Sequence, residues 1–291
     1  MNIGLQYKNN DKIFEECTAG QIPFLKYPLF SRTGIVKHGF STRLGGVSKG
    51  CFSSMNLSFS RGDREEDVHE NYRRMAAAIG VSAAKMTASR QTHTTNVRIV
   101  TEADAGKGIV RDCDYTDVDG LVTNVPGICL VTYYADCVPL MFVDPVKHVI
   151  ASSHSGWRGT VHKIGKVTVD LMVKEYGCRP EDILAAIGPS ICQDCYEVSE
   201  DVIEEFRQSF PGEIWNQLYY PKENGKFQLN LWAANEQVLL EAGICHKHMA
   251  VTNLCTCCNH ELLFSHRASH GQRGNLASFI ALKEEERYAS E

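Results

Sequence analysis

Apolar and polar positions follow two periods along the chain, and the switches between them mark the elements. Gly34 to Ser41 reads as a strand running into a loop, Thr42 to Ser48, that is rich in glycine and carries one arginine. Val68, Tyr72, Met75 and Ile79 then recur at helical spacing. They predict a helix from Arg64 to Ile79, with Asp63 as its cap and Gly80 as its stop. The middle is strand-like, over Val97 to Val100, Gly120 to Thr123, Ile128 to Tyr134, Pro139 to Val143 and His148 to Ser152, with a turn at Asp144-Pro145. The helical period returns from Thr160 to Tyr176, ended by Gly177. Ile183 to Ile187 is a further strand, broken by Gly188-Pro189-Ser190. Helices follow over Glu200 to Phe210 and Leu231 to Ala242, the second with Asn230 as N-cap and Gly243 after its end. A strand from His248 to Thr252 closes the series. Strands and helices alternate without a regular βαβ repeat, so the expected class is mixed α/β (α+β) and not doubly wound. No linker, low-complexity run or repeat divides the chain, which predicts one domain over residues 1–291.

Composition removes several function classes. Hydrophobic residues make up 43% and charged residues 22% of 291, which is globular composition. A net charge of -5 and a pI near 6.1 argue against a nucleic-acid backbone as partner, while leaving room for a small anion in a local basic pocket. The start, Met1 to Lys8, lacks a basic stretch followed by an apolar one, and the most apolar window, Gly127 to Val143, is interrupted by Asp136 and Pro139. The expectation is a cytoplasmic protein with no membrane segment. Without an export signal, most of the twelve cysteines should be free thiols, packed as small hydrophobes.

Three segments combine metal-type ligands with strand ends: Gln91-Thr92-His93-Thr94-Thr95, Ala135-Asp136-Cys137-Val138-Pro139 and Ser153-His154-Ser155-Gly156-Trp157-Arg158-Gly159. Two histidines and one cysteine match a catalytic zinc site, which has three protein ligands and one open position. The alternative is a turn His93, a core Cys137 and a hydrogen-bonded His154. Cys255-Thr256-Cys257-Cys258-Asn259-His260 is a rival cluster that could join Cys192 and Cys195 in a four-thiolate site. The late cluster is taken as lacking a paired knuckle, so these cysteines are expected to be buried thiols outside the functional metal. Arg43 in its glycine-rich loop and Arg158 beside Gly159 are candidate anion ligands. Asp119, directly before a strand, can orient a metal-binding histidine or act in proton transfer. There is no G-x-S-x-G elbow, Walker loop or dinucleotide fingerprint.

In order along the chain, seven stretches resemble the laccase-domain family, also called multicopper polyphenol oxidoreductases and now read as zinc-dependent purine nucleoside phosphorylases. They are His38-Gly39-Phe40-Ser41-Thr42-Arg43-Leu44-Gly45-Gly46-Val47-Ser48, Asn56-Leu57-Ser58, Gln91-Thr92-His93, Asp117-Val118-Asp119-Gly120-Leu121-Val122-Thr123, Ala135-Asp136-Cys137-Val138-Pro139-Leu140, His154-Ser155-Gly156-Trp157-Arg158-Gly159 and Ala186-Ile187-Gly188-Pro189-Ser190-Ile191. The resemblance implies a compact fold with a mixed β-sandwich-like core flanked by helices, as in a group of cysteine hydrolases. It implies phosphorolysis of adenosine, inosine, guanosine and 5′-methylthioadenosine, and deamination of adenosine. Carried over by position, His93, Cys137 and His154 would hold one zinc. Arg43, Asp119, Asp136 and Arg158 would fall at catalytic positions, and Arg43, Asn56, Gln91 and Arg158 at substrate-binding positions. The late segment departs from the family pattern. Ser265-His266-Arg267-Ala268-Ser269 and Gly274-Asn275 each lack an arginine the family carries.

Copper is the less favoured metal. A two-histidine, one-cysteine set also occurs in blue-copper sites, but coupled coppers need several His-x-His pairs and the chain has one, His246-Lys247-His248. The implied partners are purine nucleosides and phosphate, with a homo-oligomer as an open expectation. Amide hydrolysis on a cell-wall precursor, polyphenol oxidation and a purely structural zinc scaffold remain as alternatives.

Overall fold

Doubly buried strands explain why the middle of the sequence reads as nearly continuous apolar runs. In the computed structural model, which describes residues 3–284, Cys129–Tyr134 and Val138–Asp144 alternate with period two, yet both faces of each are covered. Cys129 and Val131 face one hydrophobic cluster while Leu130 faces another. Leu140 and Phe142 face outward to helices, and Met141 and Val143 face inward.

The result is four layers. The first sheet runs, in spatial order, Glu15–Ala19, Ile22–Lys26, Val36–Ser41, Leu276–Leu282, Cys129–Tyr134, Met86–Ala88. The second runs Met249–Val251, Leu184–Ile187, Val138–Asp144, Val149–Ser155, Gly120–Thr123, Val97–Ile99. Val36, Leu130, Ile280 and Leu282 of the first sheet meet Leu121, Met141, Val143 and Ile150 of the second. Helix Glu65–Ile79 covers the outer face of the first sheet through Val68, Tyr72, Met75 and Ile79. Helices Ile164–Tyr176, Glu200–Ser209 and Leu231–Glu241 cover the outer face of the second. Most pairings are antiparallel, with parallel pairs at Met86–Ala88 on Cys129–Tyr134, Val97–Ile99 on Gly120–Thr123, and Leu184–Ile187 on Met249–Val251. This is the expected mixed class with a sandwich-like core flanked by helices. A three-stranded sheet, Glu197–Val198, Phe227–Leu229 and Tyr219–Pro221, lies outside the two main ones.

Several local expectations change. Asp63 is not the cap of the first long helix. Its carboxylate accepts from Asn56 Nδ2 and from the Arg64 amide, both at 2.9 Å, and Arg64 takes the cap position without a side-chain bond. The helix expected from Thr160 begins earlier, at Trp157, and is broken at His162 and Lys163, where Lys163 has φ 58°. Strand Leu276–Leu282 is an addition to the expected elements, with all seven of its residues buried and with strands paired on both of its edges in the first sheet. It has neither alternation nor helical period, so no pattern marks it. Among the described residues no helix is long and apolar enough to cross a membrane. Met1 and Asn2, part of the stretch read for an export signal, lie outside the described residues, as do residues 285–291.

Candidate metal centre and its cleft

Between Cys129–Tyr134 and Val138–Asp144 the chain crosses from the first sheet to the second in three residues, Ala135, Asp136 and Cys137, so Cys137 sits at the seam of the sandwich. Asp136 makes this crossing with φ 88°, a left-handed backbone that a side chain rarely adopts. One main-chain and two side-chain contacts hold it there. Its carbonyl accepts from the Ile191 amide at 3.0 Å, its Oδ1 from Thr256 Oγ1 at 2.6 Å and its Oδ2 from the Arg267 amide at 2.7 Å. Directly across the ladder, His154 pairs with Pro139.

Asp119 brings the third ligand in. It precedes strand Gly120–Thr123, whose neighbour is Val149–Ser155, and its carboxylate faces both His154 and the loop of His93. Oδ1 lies 2.8 Å from His154 Nδ1 and accepts from the His93 amide at 3.0 Å. Oδ2 accepts from the amides of Thr92 and Thr94 at 2.8 and 3.1 Å. Burial pushes this carboxyl up, but His154 and the amide hydrogens outweigh it and hold it below its ordinary value. Three consecutive N–H groups on one carboxylate fix His93, whose φ is 68°. The contact to Nδ1 leaves His154 Nε2 as the free ring nitrogen.

The ligand atoms of His93, Cys137 and His154 lie within 4.8 Å of one another, and Cys137 Sγ is 3.9 Å from His93 Nε2. The two rings stand edge to face, with centroids 4.8 Å apart. Burial raises the Cys137 thiol, but His154 and His93 draw it down to about 6. His154 is lowered by burial yet held up to about 9 by Cys137 and Asp119. The thiolate is the ligand form of cysteine, so this electrostatic environment suits a cation. Gly156 is required beside them. A Cβ there would stand 2.8 Å from His93 Cδ2 and 3.3 Å from Cys137 Sγ.

The trio faces an open cleft of about 450 Å³, a size that accepts a nucleoside-scale ligand. Phe59 and Tyr133 give it aromatic walls, and Arg61, Arg90 and Arg273 give it positive charge. Arg273 Nε is buried with no hydrogen-bond partner. Burial, with Arg61 nearby, lowers this guanidinium to about 10.

The sequence-derived residues divide. His93, Cys137, His154 and Asp119 come together, and Gln91 lines the cleft with its amide bound on both sides to the Tyr133 backbone, at 2.8 and 2.7 Å. Asn56 is fully buried and links Asp63, Ser58 and the Asn275 amide. Arg43 and Arg158 are not among the cleft walls. Arg43 donates to the carbonyls of Ser53 and His260, at 2.8 and 2.7 Å, and lies over the Phe264 ring. Arg158 lies over the Trp157 ring. The cleft arginines were missed. Arg61 and Arg273 each precede a glycine, a signal too common to single them out.

Comparison with known proteins agrees with the architecture. A family model described as multi-copper polyphenol oxidoreductase laccase matches residues 37–283. Purine nucleoside phosphorylase YlmD of Bacillus subtilis (strain 168) is 35% identical over 247 residues, 84% of this chain and 88% of that protein. Adenosine deaminase RL5, from an unknown prokaryotic organism, is 35% identical over 230 residues, 78% of this chain and 87% of its own length. The crystal structure of YlmD from Geobacillus stearothermophilus superposes with a TM-score of 0.86 at 35% identity, covering 94% of this chain and 99% of that one.

Proposed function

The chain belongs to the multi-copper polyphenol oxidoreductase laccase family, and on that premise we propose that it is a zinc-dependent purine nucleoside phosphorylase that also deaminates adenosine. One observation carries the reading. Two imidazole nitrogens and one thiol sulfur meet at the edge of an open, arginine-lined cleft of nucleoside size. His93, Cys137 and His154 would hold the zinc, with a fourth position toward the cleft. When bound, zinc supplies Lewis acidity at that position. The donors fit zinc better than a coupled copper centre, because among the described residues the second soft-ligand group is all cysteine and adds no histidines.

The chain's own groups supply position and charge. Asp119 turns His154 Nε2 outward and fixes the His93 backbone. Asp136 sets the start of the Cys137 strand. Asp119 accepts two bonds on each oxygen and Asp136 one on each, and neither lines the cleft, so both are assigned as positioning residues. Arg61 and Arg273 are assigned to phosphate, because both line the cleft and an oxyanion between them would relieve the repulsion between the two cations. Arg43 and Arg158 are assigned to support of the surrounding loops. Phosphate attack at C1′ breaks the bond to the purine and gives free base and pentose 1-phosphate. Water attack on adenosine at C6 gives inosine and ammonia. The substrates are purine nucleosides, namely adenosine, inosine, guanosine and 5′-methylthioadenosine, and the site of action is the cytoplasm.

Product analysis tests the reading on metal-quantified protein. Inosine should yield hypoxanthine and ribose 1-phosphate only when phosphate is present, and adenosine should yield inosine without it. Equal base release in phosphate-free buffer, with free ribose accumulating, would replace the phosphorylase with a hydrolase.

A further inference from the structure

Four cysteines the cleft does not use lie together on the far side of the Asp136 crossing. The Sγ atoms of Cys192, Cys195, Cys255 and Cys258 all lie within 4.8 Å of one another, with Cys195 and Cys258 at 3.6 Å. All four are free thiols, and none lines the cleft. The expectation that the late cluster lacks a paired knuckle is corrected here. Cys255 and Cys258 are themselves spaced C-x-x-C and face the C-x-x-C of Cys192 and Cys195.

We infer that these two knuckles form a second, structural metal site that takes one zinc ion through four thiolates. The spacing supports a single ion. Tetrahedral Zn–S bonds of about 2.3 Å place neighbouring sulfurs about 3.8 Å apart, which is the scale seen here. Four soft sulfurs with no oxygen donor select a thiophilic cation. Backbone amides already point at the sulfurs. Cys255 Sγ accepts from the amides of Cys192 and Cys258, at 3.2 and 3.4 Å. Such bonds stabilise thiolate charge, as outer partners do around metal ligands. Lys8, bound to Asp194 Oδ2 at 3.1 Å, brings a positive charge to the first knuckle.

The fold explains the pairing. Strands Leu184–Ile187 and Met249–Val251 run parallel at the edge of the second sheet and share only three residue pairs. Each leaves the sheet in the same direction and continues into one knuckle, where Ser190 and Cys255 form a further parallel bridge. An ion between them would staple a short edge pair. It would also stiffen the seam, because Ile191 and Thr256, one residue from Cys192 and Cys255, both hold Asp136.

Metal quantification on the full chain tests this apart from the catalytic reading. The wild type should bind two zinc ions per chain. His154→Ala should keep one, and its Co²⁺-substituted form should show an all-sulfur tetrahedral spectrum. Cys195→Ser and Cys258→Ser should each lose one ion, and Cys257→Ser should retain both. If a knuckle variant fails to fold, the His154→Ala protein still decides, since only the four-thiolate site remains in it. No metal in His154→Ala, iron with acid-labile sulfide, or a Cys195–Cys258 disulfide in the native mass would each overturn the inference.

Discussion

At one place in this protein a single thiol meets two imidazoles at the edge of a cleft; at another, four thiols meet one another away from it. Both are held by the Asp136 crossing, which touches Cys137 in sequence and the two knuckles through Ile191 and Thr256. The three-ligand group has an arginine-lined opening beside it and would leave a bound ion one position open toward the cleft. The four-ligand group would complete a tetrahedron and leave none. Ligand number and access thus separate reactive from structural metal chemistry, although cysteine contributes to both.

The comparison breaks first if the two groups respond alike to loss of a ligand. Cys137→Ser and His154→Ala should lower phosphorolysis by more than about 100-fold, exceeding the effect of removing an outer partner of a metal ligand. Melting temperatures of both variants should stay closer to wild type than that of Cys195→Ser, whose lost ion holds the sheet edge. Matched melting losses with retained activity in Cys137→Ser would erase the distinction. Turnover and thermal melting of these three proteins provide the check.

Acid stability sharpens it by identifying what belongs to the fold alone. His38 is 2% exposed, and its Nε2 accepts from the Tyr27 amide at 2.9 Å between Tyr27 and Phe30. Burial, then the charge of Lys26, lowers it to about 4. The unfolded chain binds this proton first, so stability is present above the unfolded value near 6.5 and falls as pH drops toward 4. The loss is about 3 kcal/mol. Denaturant titrations at pH 7 and pH 4 on wild type and His38→Gln should show that slope in the wild type and a shallower one in the variant.

Two smaller effects probe the open site. Asp119→Asn should reduce zinc affinity or turnover by about 10- to 100-fold while the chain stays folded, because it loosens His154 and the amides of residues 92–94 together. A zinc titration with a competing chelator measures it, and an unchanged affinity and rate would remove Asp119 from the site. Arg273→Ala should raise the phosphate KM by about 10-fold, the worth of one charge-assisted hydrogen bond, and leave phosphate-independent deamination nearly unchanged. Equal losses in both reactions would show that Arg273 supports the cleft and does not bind phosphate.

Much of the framework was legible because it depends on local repetition. Val68, Tyr72, Met75 and Ile79 mark one helix face, and Asn230 caps the later helix by accepting from the Ala233 amide. The strands around Asp144-Pro145 pair as that turn requires. The metal-type residues were legible because Cys137 and His154 stand at strand ends and His93 in a loop between two strands, each within a dense motif. Leu276–Leu282 was not, because Ala277, Ser278 and Ala281 interrupt the apolar run that marks the other doubly buried strands. Glycines beside Arg43 and Arg158 and their motif positions mark them in the sequence, whereas only the fold shows that two carbonyls bind Arg43 and that Arg158 lies over the Trp157 ring.

By itself, then, the sequence determined the residue types and the local order of elements: which segments coil, which extend, and where sulfur and imidazole ligands occur. Hydrophobic period and turn chemistry act over a few residues, so these features are written locally. The tertiary structure alone decided which arginines face the cleft, that Asp119 binds His154 and three amides of a remote loop, and that two C-x-x-C turns 63 residues apart come within contact. Those meetings depend on strand order and on the packing of two sheets. The free energy that sets such contacts comes from burial across the whole chain, and no short stretch of it carries that information.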